Sequence, residues 1–232
     1  WWVSLLVWLA GIRVRVGVRS QWHSFLFFNR SVRQKRSRAD ASELEYNYRL
    51  VEEGLGLGPH SLPRESLVLV PGSEALARLG LSNQGYTVVH PGMSGSALNW
   101  PTNRYEELIR KVSATEPVAI TGTASDEKFL APLRASLGKA ANVHWLDGKL
   151  NGTELIEILA NAKAVIAPST GVVHLAASTG VPTLGIYSPI RVERAVRWGP
   201  QGKRVGFVEP ELESLGMDTI SVEDVLLKLA KL

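Results

Sequence analysis

Two stretches of this chain concentrate residues that hold anions. The first is Ala167-Pro168-Ser169-Thr170-Gly171-Val172-Val173-His174-Leu175-Ala176-Ala177, where an apolar run (Ala164–Ala167) gives way to a small-residue helix. Hydroxyls at Ser169 and Thr170 and the bare backbone of Gly171 stand at the expected helix N-terminus. Amides without an intrahelical partner, and the positive end of the helix dipole, favour negative charge there. His174, one turn further in, faces the same mouth. The second stretch is His90-Pro91-Gly92-Met93-Ser94-Gly95-Ser96-Ala97-Leu98-Asn99-Trp100-Pro101. Its glycines and serines let backbone amides approach a ligand closely. Either stretch alone also reads as ordinary structure: a turn, a satisfied helix histidine, a tryptophan packed where Pro101 starts a helix. Together, in order, they suit a diphosphate held over one crevice. The Walker lysine motif is missing, which argues against a phosphate-cleaving P-loop enzyme. Gly54-Leu55-Gly56-Leu57-Gly58-Pro59 is not a dinucleotide fingerprint, because no strand feeds it and no helix follows directly, so a dehydrogenase is disfavoured.

These turns need strands and helices to position them. From about residue 86 the pattern predicts strands at Tyr86–His90, Val118–Thr121, Val143–Leu146, Ala164–Ala167 and Thr183–Tyr187. Helices are expected at roughly 103–114, 125–137, 153–162 and 171–179, with Leu155, Ile156, Ile158, Leu159 and Ala162 forming one apolar face. Asp126 and Glu127 are expected in a first turn behind Ser125, and Ser221-Val222-Glu223-Asp224 opens a last helix with a capping-box pattern. Such alternation implies an α/β fold with a parallel, Rossmann-like sheet covered on both faces. Ligands bind such sheets at the carboxyl ends of the strands, where both turns fall. Residues 1–60 read as helix, short strand (Val14–Val18), basic loop and a second helix from about Ala41 to Glu53. A turn-rich linker over residues 59–66 divides the chain into segments 1–62 and 63–232.

The 232 residues contain no cysteine, which excludes disulfides, thiolate catalysis and cysteine-based zinc sites. That composition fits a reducing cytoplasm. The net charge of +4 is uneven, since residues 1–39 hold eight basic and no acidic side chains, leaving −4 for the remainder. The basic segment reads either as a solvated loop or as a contact for an anionic surface, lipid headgroup or phosphorylated sugar, rather than for nucleic acid. The opening run Trp1–Ala10 is shorter than a bilayer span of about 20 residues and lacks the charged region of a signal peptide. It reads as the end of a packed helix or as an interfacial segment with tryptophan anchors.

Several blocks resemble glycosyltransferase family nine, the ADP-heptose:lipopolysaccharide heptosyltransferases. They are His90-Pro91-Gly92 through Gly95-Ser96-Ala97 and Asn99-Trp100-Pro101, then Ser169-Thr170-Gly171 with His174-Leu175-Ala176-Ala177. Tyr187-Ser188-Pro189, Trp198-Gly199-Pro200 and the helix from Ile220 to Val225 follow. Arg15-Val16-Gly17 and Glu43 with Asn47 resemble the end of that family's first domain, so the resemblance covers nearly the whole chain. It implies a GT-B architecture of two Rossmann-like domains: residues 1–62 as the remainder of the acceptor-side domain, residues 63–232 as the donor domain. It further implies transfer of a heptose from ADP-heptose to a lipopolysaccharide core acceptor, with inversion, without a resident cofactor or metal. Cytoplasmic placement follows, with peripheral contact at the inner membrane through Arg30–Arg38. Two alternatives stay open: a related transferase with another nucleotide sugar, or a nucleotide-sugar-binding module without turnover.

Residue by residue, the resemblance implies that Met93 and Ser94 meet the donor phosphates within the Gly95-Ser96 turn, and that Thr170 and Gly171 bind the diphosphate. His174 would support that turn, Leu150 would lie against the adenine, and Ser125 or Asp126 near the ribose. The chain departs from the family at Leu98, where relatives carry a lysine; Arg191 is the expected substitute cation. It departs again at Ser169, where an aspartate touching the sugar is usual, and at Ser42, which replaces a common histidine. The acidic general base of the family is expected upstream of Trp1, so the resemblance nominates no catalytic residue here.

Overall fold

The computed structural model describes residues 1–61, 72–93, 95 and 97–232. It comprises two compact units, Trp1–Glu65 and Ser66–Leu232. The division expected after residue 62 lies outside the described residues.

The larger unit contains, in chain order, β3 (Thr87–Val89), β4 (Val118–Ile120), β5 (Val143–Trp145), β6 (Ala164–Pro168), β7 (Thr183–Ile186) and β8 (Val205–Val208). They form one sheet in the order β5-β4-β3-β6-β7-β8, and every pairing is parallel. The chain starts in the middle at β3, winds outward to β5, then returns beside β3 and winds the other way. The reversal between β3 and β6 leaves a crevice at their carboxyl ends, where open α/β sheets take ligands. The helices are α4 (Glu74–Leu79), α5 (Thr102–Ser113), α6 (Glu127–Leu137), α7 (Gly152–Ala160), α8 (Gly171–Thr179), α9 (Ala195–Trp198) and α10 (Val222–Leu229).

The central strands are buried over their whole length, as apolar runs between two helical layers must be. One core gathers Trp100, Leu108 and Ile109, Leu130 and Leu133, and Val222 and Val225 from α5, α6, α10 and their approaches. The other gathers Leu76, Ile158, Leu159, Val172 and Ala176 from α4, α7 and α8. The predicted capping box is present: Asp224 N–H donates to Ser221 Oγ (3.1 Å) and Ser221 N–H to Asp224 Oδ2 (3.2 Å).

Asp126 and Glu127 lie in first turns as expected, and the structure adds two local features. A short 3-10 turn, Ala124–Asp126, precedes α6, and its N-cap is Thr123. Asp126 Oδ2 accepts from Thr123 N–H (3.0 Å) and Thr123 Oγ1–H (2.8 Å), so this carboxylate closes a turn inside the fold. Strand β8 escapes the sequence pattern because it lies at the sheet's edge, with Phe207 open to solvent and Gly206 inside.

The smaller unit contains α1 (Trp2–Leu9), β1 (Val16–Val18), α2 (Trp22–Phe27), β2 (Arg30–Val32) and α3 (Glu43–Leu55). Part of the expected basic loop is therefore strand: β2 runs parallel to β1, pairing Val16 with Arg30 and Val18 with Val32. Asn29 holds this register, accepting from Arg15 N–H (2.9 Å) and donating to Arg13 O (2.7 Å). Arg36 is tied inward, to Glu43 Oε2 (2.7 Å), Gln34 Oε1 (3.0 Å) and Asn47 Oδ1 (3.0 Å), whereas Arg33, Lys35 and Arg38 stay exposed. Ser42 caps α3 through Glu45 N–H, and Gly56 ends it at φ +73°. The opening apolar run is helical, with Trp1 and Trp2 stacked at 3.7 Å and largely exposed. Among the described residues no helix is long and apolar enough to cross a membrane.

Candidate functional site

A cleft of about 510 Å³ opens at the carboxyl ends of β6 and β7, lined by Ala97, Ser169, Thr170, Gly171, His174, Val192, Glu193, Arg197 and Trp198. One side is the N-terminus of α8. Strand β6 ends at Pro168, which has no amide hydrogen to continue a ladder, and Thr170 turns the chain in extended geometry (φ −146°, ψ 164°). The Thr170 side chain makes no capping bond. Val173 N–H donates to Thr170 O (3.2 Å), and the amides of Gly171 and Val172 stay available at the cleft, where the dipole is positive. No charged side chain in α8 offsets that field.

The turn after β3 is braced from within. Asn99 donates from Nδ2 to Pro91 O (2.7 Å), while its Oδ1 accepts from Trp100 N–H (2.9 Å) and Tyr105 O–H (3.1 Å). Beneath it, His90 Nδ1 lies 3.0 Å from Thr121 Oγ1. Burial lowers the His90 pKa to about 4, against a partial opposing effect of the Asp126 charge, so this imidazole is neutral at physiological pH. Gly92 packs so closely on Asp126 that a Cβ would fall 2.1 Å from its Cγ. Gly95 has φ +80°, a conformation that costs glycine little.

The structure brings Ser169, Thr170, Gly171 and His174 together in one cleft. Met93 is buried and does not line the cleft, and Asp126 is buried with its carboxylate engaged by Thr123. Leu150 follows β5 at the far edge of the sheet, half-buried against the second core. Arg191 is exposed and does not line the cleft. Ser94 and Ser96 lie outside the described residues.

Two groups escaped the sequence reading. The ammonium of Lys128 stands 3.7 Å from where a Cβ of Gly95 would be, which puts a cation at the first turn. The second is the wall from Val192 to Trp198. Its signal in the sequence was the Trp198-Gly199-Pro200 block, but nothing there indicated which cavity it faces. This wall is latched to β8 by Glu209, which pairs with Arg194 and accepts from Ala195 N–H (3.1 Å). It joins the first turn where Leu98 N–H donates to Glu193 Oε2 (3.3 Å).

His174 is exposed at the cleft, yet partial desolvation holds its pKa below the ordinary histidine value. It is neutral in the empty cleft at pH 7. A bound phosphate favours the imidazolium and raises that pKa. Binding then takes up a proton between the free and bound pKa values, and affinity rises as pH falls through that window. We expect nucleoside diphosphate to bind more tightly at pH 6 than at pH 8 through this effect. The His174→Gln profile isolates it from titration of the ligand, and superimposable profiles would refute it.

Known proteins place this geometry. The family model described as glycosyltransferase family 9 (heptosyltransferase) matches residues 1–221. A putative glycosyltransferase of Haemophilus influenzae is 30% identical over 243 residues, covering 97% of this chain and 69% of the relative. Escherichia coli ADP-heptose LPS heptosyltransferase II shares the fold at a TM-score of 0.77 and 22% identity, over 98% of this chain and 72% of its own. E. coli heptosyltransferase WaaC with ADP gives 0.66 at 21%, over 93% and 63%. The fold is accordingly of the GT-B type, and on the family-wide match this chain, with its helix-end cleft at the sheet's switch point, belongs to glycosyltransferase family 9.

Proposed function

We propose that the cleft holds the diphosphate of ADP-heptose and that the parent enzyme transfers the heptose to a lipopolysaccharide core acceptor, with inversion. The observation that carries this reading is the coincidence of an uncapped helix N-terminus with the crevice between β3 and β6. Negative charge develops on the leaving diphosphate as the glycosidic bond breaks. Amides of α8 already aimed at that position stabilise it without reorganising. Met93 and Gly95 would belong to the opposite phosphate turn. Lys128, rather than Arg191, is the better placed cation for it. Leu150 and the turn closed by Asp126 would lie toward the nucleoside, on the β4–β5 side. The exposed Arg33, Lys35 and Arg38 would face the anionic core sugars at the cytoplasmic face of the inner membrane.

Calorimetric titration of the chain with ADP, UDP and ADP-heptose tests the donor assignment. Selective binding of ADP and ADP-heptose is expected. Equal affinity for UDP would defeat the adenine assignment, and absence of binding in a folded sample would defeat the donor site. Product formation by the parent enzyme from ADP-heptose and a core-deficient lipopolysaccharide, absent with UDP-sugars, tests the transfer.

A further inference from the structure

Among the described residues lining the cleft, Glu193 is the only carboxylate. Its Oε2 accepts one long bond from Leu98 N–H (3.3 Å), and among the described residues no cation pairs with it. A carboxylate in the same cleft as an anion-binding helix end repels a phosphate, so the phosphates must keep to the α8 side. A nucleotide sugar carries no cation, so the part of it that faces Glu193 is neutral and donates hydrogen bonds.

Trp198 stands beside it and is held before any ligand arrives. Its Nε1–H donates to Val192 O (2.9 Å), and its own carbonyl accepts from the buried Tyr187 O–H (2.8 Å). The Arg197 guanidinium lies 5.0 Å from the indole centroid. A carboxylate accepts from neighbouring hydroxyls, and an electron-rich ring face covers polarised C–H groups. Together they match a polyhydroxylated ring.

We infer that Glu193 and Trp198 form the sugar-recognising wall of the cleft, with the Glu193 carboxylate accepting hydrogen bonds from hydroxyls of the transferred sugar and the Trp198 indole packed on its C–H face. This rests on the donor-site reading above and names residues that decide which sugar is accepted. Glu193 is reached from the β7–α9 connection, independently of Ser169.

The test compares ADP with ADP-heptose and ADP-glucose by calorimetry on the full chain, in wild type, Glu193→Gln and Trp198→Leu. Glutamine keeps an acceptor for Leu98 N–H and removes only the charge. Wild type is expected to bind at least one ADP-sugar about tenfold more tightly than ADP, a factor in the range of charge-assisted hydrogen bonds. Both variants should hold ADP within about twofold of wild type and lose most of that advantage. An advantage that survives in both overturns the wall while ADP binding keeps the donor site. A variant that loses ADP and ADP-sugar affinity equally shows a structural role and also overturns it. A wild type that binds ADP but no ADP-sugar better removes sugar recognition from this cleft. Failure of wild type to bind ADP overturns the donor site, and the wall with it.

Discussion

Gly171→Leu is expected to abolish ADP binding while leaving the protein folded. A Cβ built at Gly171 meets no atom within 4 Å, so the larger side chain enters open space rather than the core. The position is the first residue of α8, where replacing glycine is neutral or gains about 0.4–1 kcal/mol through the unfolded state. That space is the cleft itself. Leucine there bars a phosphate from the first-turn amides, and losing two charge-assisted hydrogen bonds at about 1.5–3 kcal/mol each weakens binding by about 100-fold or more. Calorimetry beside a melting curve checks both halves. Unchanged ADP affinity with unchanged melting would place the phosphates elsewhere.

Trp100→Ala should produce the largest loss of stability in the donor unit. The indole is 1% exposed, meets Tyr105 edge-on at 5.0 Å between centroids, and donates from Nε1 to Ile220 O at 3.0 Å. It therefore joins the start of α5 to the residue preceding the cap of α10, within one core layer. Removing it costs about 3–5 kcal/mol from lost burial and the cavity left behind. For a unit of this size that lowers the melting temperature by roughly 2–4 °C per kcal/mol, or about 10 °C in all. Trp100→Phe separates the contributions: it retains most of the packing but strands the Ile220 carbonyl, at about 1–3 kcal/mol. A drop below about 3 °C for the alanine variant would mean that α10 is anchored without the indole.

How much of this was legible depended on whether the physical cause was local. The α8 mouth announces itself because strand, proline, hydroxyls, glycine and small-residue helix are consecutive. The capping box at Ser221 and the glycine stop at Gly56 are equally local. The wall at Val192–Trp198 could not be read, because this irregular connection reaches the cleft only when β7 is placed beside β6 and Glu209 latches the loop to β8. Strand β2 was hidden among arginines whose charge suggests solvent, although the backbone pairs with β1 and Asn29 sets the register. Asp126 reads as a ribose ligand from its position in the family pattern. Its bonds to Thr123 are visible only in three dimensions.

The Glu209 latch has a consequence for how this enzyme can change. Glu209 and Tyr187 fasten the wall proposed to face the sugar to the outer strands, while the amides proposed to hold the phosphates belong to α8. Grip and choice are thus carried by separate pieces of scaffold. Drift within residues 192–198 can alter the preferred sugar while the diphosphate is still held, so intermediates along an evolutionary path need not lose the donor. Laboratory selection for a new donor should confine its library to that loop, where each round starts from a protein that still binds the nucleotide.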